Sequence, residues 1–414
     1  MRPDAIRRAL TTAIRAADPA LYLAEVSDPY ETAFRFAAKG RCTLAQVSEF
    51  AQDIFLSASQ GKLQGEPQIS WFQVGWHGAS IEFVGVSLKE GYSREIFGLM
   101  MGEEEAVKSF IVALEEFSNE VDGAVLVFQD GCWRYDEDLF EDIQTSTFDN
   151  LVLPSGMSEQ IRGDVQQWLD SRDLYEQHGI PWKRGMILVG PPGNGKTHMI
   201  KALANYFGLS TLYVRGFTSE YGTDAANISK VFHKARACAP SMLILEDLDT
   251  LVNSENRSHF LNELDGFARN TGILAVASAN DPARLDPALI NRPSRFDRRY
   301  AFNLPEAEER TRYLQFFTSS LDVNLRLSDE EAAALGEEAG GFSFAYLKEL
   351  VLSSMMSWIS SGRVAPFAAV IREQIAPLLE QMQLEVEPTP TPSGESSDDS
   401  YMKMVRAMRR RRHG

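Results

Sequence analysis

Eight residues decide most of what this chain can become. Gly190-Pro191-Pro192-Gly193-Asn194-Gly195-Lys196-Thr197 has the spacing G-x-x-x-x-G-K-[ST]. It follows an apolar run at 186–189 and opens a helical pattern at 198–206. Strand, glycine-rich turn, helix is the order a phosphate-binding loop requires. Glycines let successive backbone N–H groups curl around an anion, and the helix N-terminus adds its positive end. In such a loop Lys196 reaches the β- and γ-phosphates and Thr197 ligates magnesium.

The surroundings agree. Short apolar runs at 186–189, 211–214, 242–245, 273–277 and 300–302 are each followed by a turn or a helical pattern. Continuous apolar strands in that rhythm predict an α/β domain whose parallel sheet is covered on both faces. Beyond Pro305 the periodicity is purely helical, at 306–319, 329–338, 344–360 and 366–383. A small helical lid domain is therefore expected. The run at 242–245 ends in Glu246-Asp247-Leu248-Asp249. At a strand end, Glu246 is placed to hold the water shell of magnesium and Asp247 to orient an attacking water.

On these residues the stretch from about 148 to 360 resembles the AAA clade of AAA+ ATPases. Gly190 to Thr197 is similar to the clade's Walker A segment, and Leu243 to Asp247 to its Walker B segment. Asn280, in Ala277-Ser278-Ala279-Asn280, resembles the sensor that positions water against the γ-phosphate. Leu285 to Leu289 and Arg292 to Arg298 resemble the second region of homology, which makes Arg292 and Arg295 arginine fingers directed at a neighbouring subunit. Residues 262–267 are similar to the segment that signals between subunits. Ala345, after Gly341-Phe342-Ser343-Phe344, stands where this clade has a small residue at a helix start.

The resemblance implies ATP and Mg2+ as cofactors and a homo-oligomeric, hexameric ring. It implies a catalytic set of Glu246, Asp247, Asn280, Arg292 and Arg295, with Thr197 and Glu246 at the metal. Nucleotide contacts would come from Asn150, Val152, Pro192, Gly193, Asn194, Gly195, Lys196, Thr197, His198 and Ala345. Within the clade, residues 148–154 and 175–185 and the order Glu246-Asp247 resemble the mitochondrial chaperones that translocate the Rieske iron–sulfur protein. No comparable membrane-spanning run is present, so their location and substrate do not carry over. One residue near Asn291 is extra, which makes Arg295 the better-aligned finger. The reversed acid order puts a longer acid at the metal and a shorter one at the water.

The remaining sequence divides as 1–146, 147–304, 305–384, 385–400 and 401–414. Residues 1–146 read as an α+β domain that recognises a client or partner. Helical patterns are expected at 3–17, 43–57 and 102–121, the last with Val107, Phe110, Ile111, Leu114 and Phe117 on one face. Strands are expected at 70–76, 80–88 and 124–128, followed by an acidic segment at 136–142. His77, beside Trp76, reads as structural. In the loop at 216–222 either Phe217 or Tyr221 could line a pore, or both could pack against the sheet.

Composition bears on partners. The formal net charge is −17, from 41 Lys+Arg against 58 Asp+Glu. The last fourteen residues carry six cations and no acid, which leaves −23 on the rest. A body that acidic repels polyanions. The proline- and serine-rich segment at 385–400 reads as a flexible linker of roughly 20–25 Å. The basic tail reads as a frayed end, as an arm for an acidic surface, or as a nucleic-acid contact. Three widely spaced cysteines (Cys42, Cys132, Cys238) suggest reduced thiols and a cytoplasmic location. No run approaches the ~18 uncharged apolar residues of a membrane span. The expected function is ATP-driven remodelling, unfolding or disassembly of a protein client. The alternatives are a nucleic-acid-dependent motor or loader that uses the basic tail, and a nucleotide-gated scaffold.

Overall fold

A computed structural model describes residues 3–27, 30–49, 54–59, 62–67, 69–90, 93–121, 123–219, 222–265, 270–290, 292 and 294–384. The linker and basic tail, Tyr221 and Asn291 lie outside them.

The N-terminal part runs α1 (Pro3–Ala17), β1 (Tyr22–Ser27), α2 (Tyr30–Ala38), β2 (Thr43–Glu49), β3 (Ile54–Ser59) and β4 (Lys62–Pro67). It continues with β5 (Ile69–Trp76), β6 (Ala79–Glu90), β7 (Ser93–Gly102) and α3 (Glu104–Ser118). Five strands form an antiparallel sheet in the order β1-β7-β6-β5-β2, and β3 and β4 form a separate hairpin. Val107, Phe110, Leu114 and Phe117 of α3 join Phe36 of α2 in a core over Phe72, Trp76 and Phe83. Leu10 and Ile14 of α1 pack near Phe97 and Leu99. His77 occupies the β5–β6 turn at φ 47° and stacks on Trp76, a structural place.

The helical pattern expected at 43–57 is instead β2 and the start of β3. Leu44 and Val47 lie three apart, as on a helix, but β2 carries an irregularity between Gln46 and Ser48 in its pairing with β5. Such a bulge adds one residue to the strand's period of two. Leu44 packs on the core and Val47 is left exposed.

Next come β8 (Val125–Gln129), β9 (Cys132–Asp136), α4 (Glu137–Thr145), α5 (Met157–Asp170), α6 (Arg172–Gln177), β10 (Lys183–Val189) and α7 (Lys196–Phe207). They are followed by β11 (Ser210–Val214), α8 (Asp224–Ala237), β12 (Ser241–Leu245), α9 (Leu248–Leu251), α10 (Arg257–Asp265), β13 (Ile273–Ala279), α11 (Pro287–Ile290) and β14 (Arg298–Ala301). The second sheet has the order β14-β10-β13-β12-β11-β8-β9. All its pairings are parallel except that of the edge strand β9 with β8.

Alternation within each apolar run feeds two cores. Ile187, Leu243, Leu245, Ala275 and Ala277 face α8 and α10, whereas Met186, Leu188, Met242, Ile244 and Val276 face α5 and α7. Burial on both faces is the reason the middles of these strands read as continuous apolar runs.

The boundary expected at 146 falls beyond the start of this sheet. β8, grouped by sequence with the N-terminal part, pairs in parallel with β11 through Leu126↔Leu212, Tyr213↔Val127 and Phe128↔Val214. Four of its five residues are buried, so it needs cover on both faces, which the N-terminal sheet does not supply. The two parts are also fastened by side chains. Lys234 Nζ of α8 donates to the Ser118 carbonyl and to Asn119 Oδ1 at the end of α3. The Arg35 guanidinium lies 3.6 Å over the Tyr135 ring.

Four helices complete the described chain: α12 (Ala307–Ser319), α13 (Asp329–Glu338), α14 (Phe344–Ser360) and α15 (Phe367–Leu384). They enclose their own core around Leu314, Leu335, Phe342, Leu347 and Ile371. Buried Arg310 is satisfied by the carbonyls of Pro305 and Gly336. Among the described residues no helix is long and apolar enough to cross a membrane.

Candidate active site

Three strands end at one place. β10 runs into Gly190, β12 into Glu246 and Asp247, and β13 into Asn280, and register places Val189 beside Ala279 and Leu245 beside Ala277. Carboxyl ends of parallel strands are where ligands bind in open α/β sheets. Residues up to 90 apart in sequence thereby share one crevice.

The loop between β10 and α7 can only be made with glycine at its tight points. A Cβ on Gly190 would lie 2.1 Å from the Phe302 carbonyl oxygen. Gly193 has φ +77°, and a Cβ there would lie 2.7 Å from that of Ala345. The Ala345 N–H donates to the Gly193 carbonyl at 3.0 Å, so the first turn of α14 rests directly on the loop. A small residue is required at 345 for that contact. Gly193→Ala is expected to destabilise the protein by about 1–3 kcal/mol and to weaken the stabilisation that ATP confers. Melting curves with and without nucleotide measure both effects.

Lys196 is buried and donates to the Gly190 and Pro191 carbonyls at 2.6 and 2.8 Å. Burial lowers its pKa, and the charges of Asp247, Asp249 and Glu246 oppose that shift. The ammonium is thus held among three acids inside a loop rich in backbone donors. Asn194 Oδ1 is buried without a partner, and so is Glu246 Oε1. Such orphaned polar atoms are costly unless a ligand meets them. The cradle that a Cβ would fill, the buried ammonium and the unpartnered carboxylate oxygen fit a nucleoside triphosphate chain with a divalent cation.

Asp247 sits at φ 49° in the left-handed region, which non-glycine residues rarely occupy. Its N–H donates to Ser278 Oγ at 3.1 Å, and Asn280 Nδ2 donates to its Oδ1 at 2.7 Å. Strain of this kind persists where the surroundings over-determine it. Asp249 accepts from the Asp281 N–H, tying the two strand ends together.

Asn150 and His198 meet beside the loop. His198 Nε2 lies 2.7 Å from Asn150 Oδ1, which also accepts the Thr147 N–H. The oxygen can only accept, so His198 Nε2 carries the hydrogen. Burial lowers the His198 pKa, in keeping with a neutral ring. Leu151 approaches Gly195, Leu153 belongs to the core of the large domain, and Val152 packs on the lid core. Arg312 of α12 donates to the Leu153 carbonyl at 2.8 Å. The segment therefore touches loop, sheet and lid together.

The two arginines part company. Arg295 has a side chain only 5% exposed and makes a two-point clamp on Asp265, Nε to Oδ1 at 2.9 Å and Nη2 to Oδ2 at 2.6 Å. Its Nη1 donates to the Ala288 carbonyl. Arg292 is 65% exposed and reaches Asp265 only at 3.4 Å. The family resemblance favoured Arg295 for a reach between subunits; in this fold its guanidinium is bonded within its own chain. Phe217 is also committed, 2% exposed and packed near Phe260 in the sheet core. It lines no pore in this arrangement, and Tyr221 lies outside the described residues.

Sequence reasoning missed Tyr213, Ser278 and Asp281. Ser278 and Asp281 lie within two residues of the flagged Asn280 and could have been found from it. Tyr213 carries no local signal.

Residues 186–304 match the family described as ATPase family associated with various cellular activities (AAA). The chain contains an AAA ATPase domain. An ATP-dependent zinc metalloprotease FtsH of Acidothermus cellulolyticus is 32% identical over 234 residues, covering 52% of this chain and 34% of that protein. The protein of the same name from Caldicellulosiruptor bescii is 28% identical over 249 residues, covering 56% and 40%. An uncharacterised AAA domain-containing protein of Schizosaccharomyces pombe is 29% identical over 247 residues, covering 56% and 31%. The chain thus spans about a third of the length of the relatives it matches. These 414 residues contain no His-Glu-x-x-His. Only the ATPase part of the likeness has residues here to support it.

Proposed function

We propose that the chain hydrolyses ATP with Mg2+ and uses the turnover to remodel, unfold or disassemble a protein client. The observation that carries the reading is the bond from Asn280 to Asp247, next to the buried Lys196, at the ends of three parallel strands.

In this reading Lys196 and the loop amides hold the phosphates, and Thr197 and Glu246 hold the metal. The cation supplies charge neutralisation along the phosphate chain when bound. Asp247 takes a proton from a water that Asn280 helps to orient. Arg292, from the next copy in a hexameric ring, meets the charge that develops. The contact of Ala345 with Gly193 makes the lid sensitive to what the loop holds.

The part ending at α3, rather than at residue 146, is assigned to client recognition. The basic tail is assigned to an acidic partner surface. The likeness of residues 148–154 and 175–185 to Rieske-translocating chaperones belongs to this proposal, with no client carried over. The location proposed is cytoplasmic.

Turnover per chain is expected to rise with protein concentration as the ring assembles, and native mass measurement with MgATP should give the oligomer. Full activity of a monomer would sink the ring. Stimulation by DNA or RNA, falling steeply with salt, would favour a nucleic-acid motor instead.

A further inference from the structure

Glu246 has a neighbour that neither the loop motif nor the strand-end acids point to. Register sets Tyr213 of β11 opposite Ile244 of β12. Two residues further along, Glu246 emerges on the same face, because side chains alternate with period two. Diagonal neighbours of this kind have Cβ atoms roughly 7–8 Å apart, a gap that only a long side chain closes. The Tyr213 phenol closes it, donating to Glu246 Oε2 at 2.9 Å. Oε1 of the same carboxylate is buried and unpartnered. Tyr213, Glu246 and Thr197 line one cavity of about 190 Å³.

We infer that Tyr213 is a positioning residue that holds Glu246 for a divalent cation. The inference rests on the reading that Thr197 and Glu246 form the metal site. Glutamate is one methylene longer than aspartate and has one more torsion to fix. Anchoring Oε2 fixes that torsion and leaves Oε1 as the oxygen directed to the cation. A phenol keeps its proton at neutral pH, so the hydroxyl is the donor and the carboxylate the acceptor in this bond. Partners that orient a metal-binding group in this way typically contribute about 10–100-fold in metal affinity.

The test uses the full chain and a fluorescent ATP analogue, titrated with MgCl2 and separately in EDTA. Tyr213→Phe keeps the ring and removes the donor. Binding in EDTA should be unchanged, and the Mg2+ needed for half-maximal tightening should rise about tenfold. Glu246→Gln should raise it at least as far, and adding Tyr213→Phe should raise it no further. Glu246→Asp is the second variant: the shorter acid is beyond the phenol's reach, so Tyr213→Phe should add nothing to it. A Mg2+ curve for Tyr213→Phe that overlays the wild type, with Glu246→Gln shifted, overturns the role of Tyr213 alone. An equal loss in EDTA and in Mg2+ also overturns it, as general damage. If Glu246→Gln leaves the curve in place, the metal site itself is misassigned.

Discussion

Asp247→Asn is expected to lower ATP turnover by about 10²–10⁴-fold, the range a positioned general base contributes, while ATP still binds. The carboxylate accepts from Asn280, while the loop lysine donates to the Gly190 and Pro191 carbonyls. An amide keeps the shape but cannot take a proton. Asparagine also tolerates positive φ better than most residues, so the strained turn at φ 49° should survive the exchange. Phosphate release and binding of a fluorescent ATP analogue measure the two halves of the result. Turnover near wild type would remove Asp247 from the role of base. The same variant, holding ATP, is suited to retaining the client for identification.

Arg292→Ala and Arg295→Ala are expected to fail in opposite ways. Arg295→Ala removes a buried cation from a two-point clamp and should cost about 3 kcal/mol of stability, visible as a lowered melting temperature. Arg292→Ala, at an exposed side chain, should change stability by no more than about 0.5 kcal/mol. Its turnover should nevertheless fall by about 10³-fold, the lower end for an arginine finger. Mixing it with Lys196→Ala chains should restore part of the activity, because each chain then supplies what its neighbour lacks. No recovery, with both variants folded and assembled, would argue against the reach between copies.

The clamp has a pH signature too. Hydrogen bonds from Arg295 foremost hold Asp265 below its ordinary value of 3.8. A depressed carboxylate contributes stability that is present above 3.8 and is lost as the pH falls through the lower folded value. Acid should therefore narrow the gap between wild type and Arg295→Ala.

Much of the site was legible because its chemistry is local. Gly190 to Thr197 is a continuous segment whose spacing is itself the geometry: tight turns, a lysine and a hydroxyl opening a helix. Glu246 and Asp247 were legible because an apolar run announces the strand that presents them. The split between Arg292 and Arg295 was not, since both are arginines in one short loop. Their difference comes from Asp265, about thirty residues earlier on α10, which selects one of them as its partner. Phe217 was ambiguous for a similar reason: an aromatic after a strand can face solvent or core, and Phe260 decides it. The stretch at 43–57 misled because its pairing with β5, a long-range contact, makes its first half a strand.

The sequence by itself determined that there is a phosphate loop on a parallel sheet, a pair of acids on a neighbouring strand and a helical lid. Each is encoded by residues adjacent in the chain, where spacing and periodicity act directly. Only the tertiary structure decided that β8 extends that sheet, that Tyr213 holds Glu246, and that Arg295 is spoken for while Arg292 is exposed. Those outcomes depend on strand order and register, which are set by the burial of whole faces and leave no mark on any single segment.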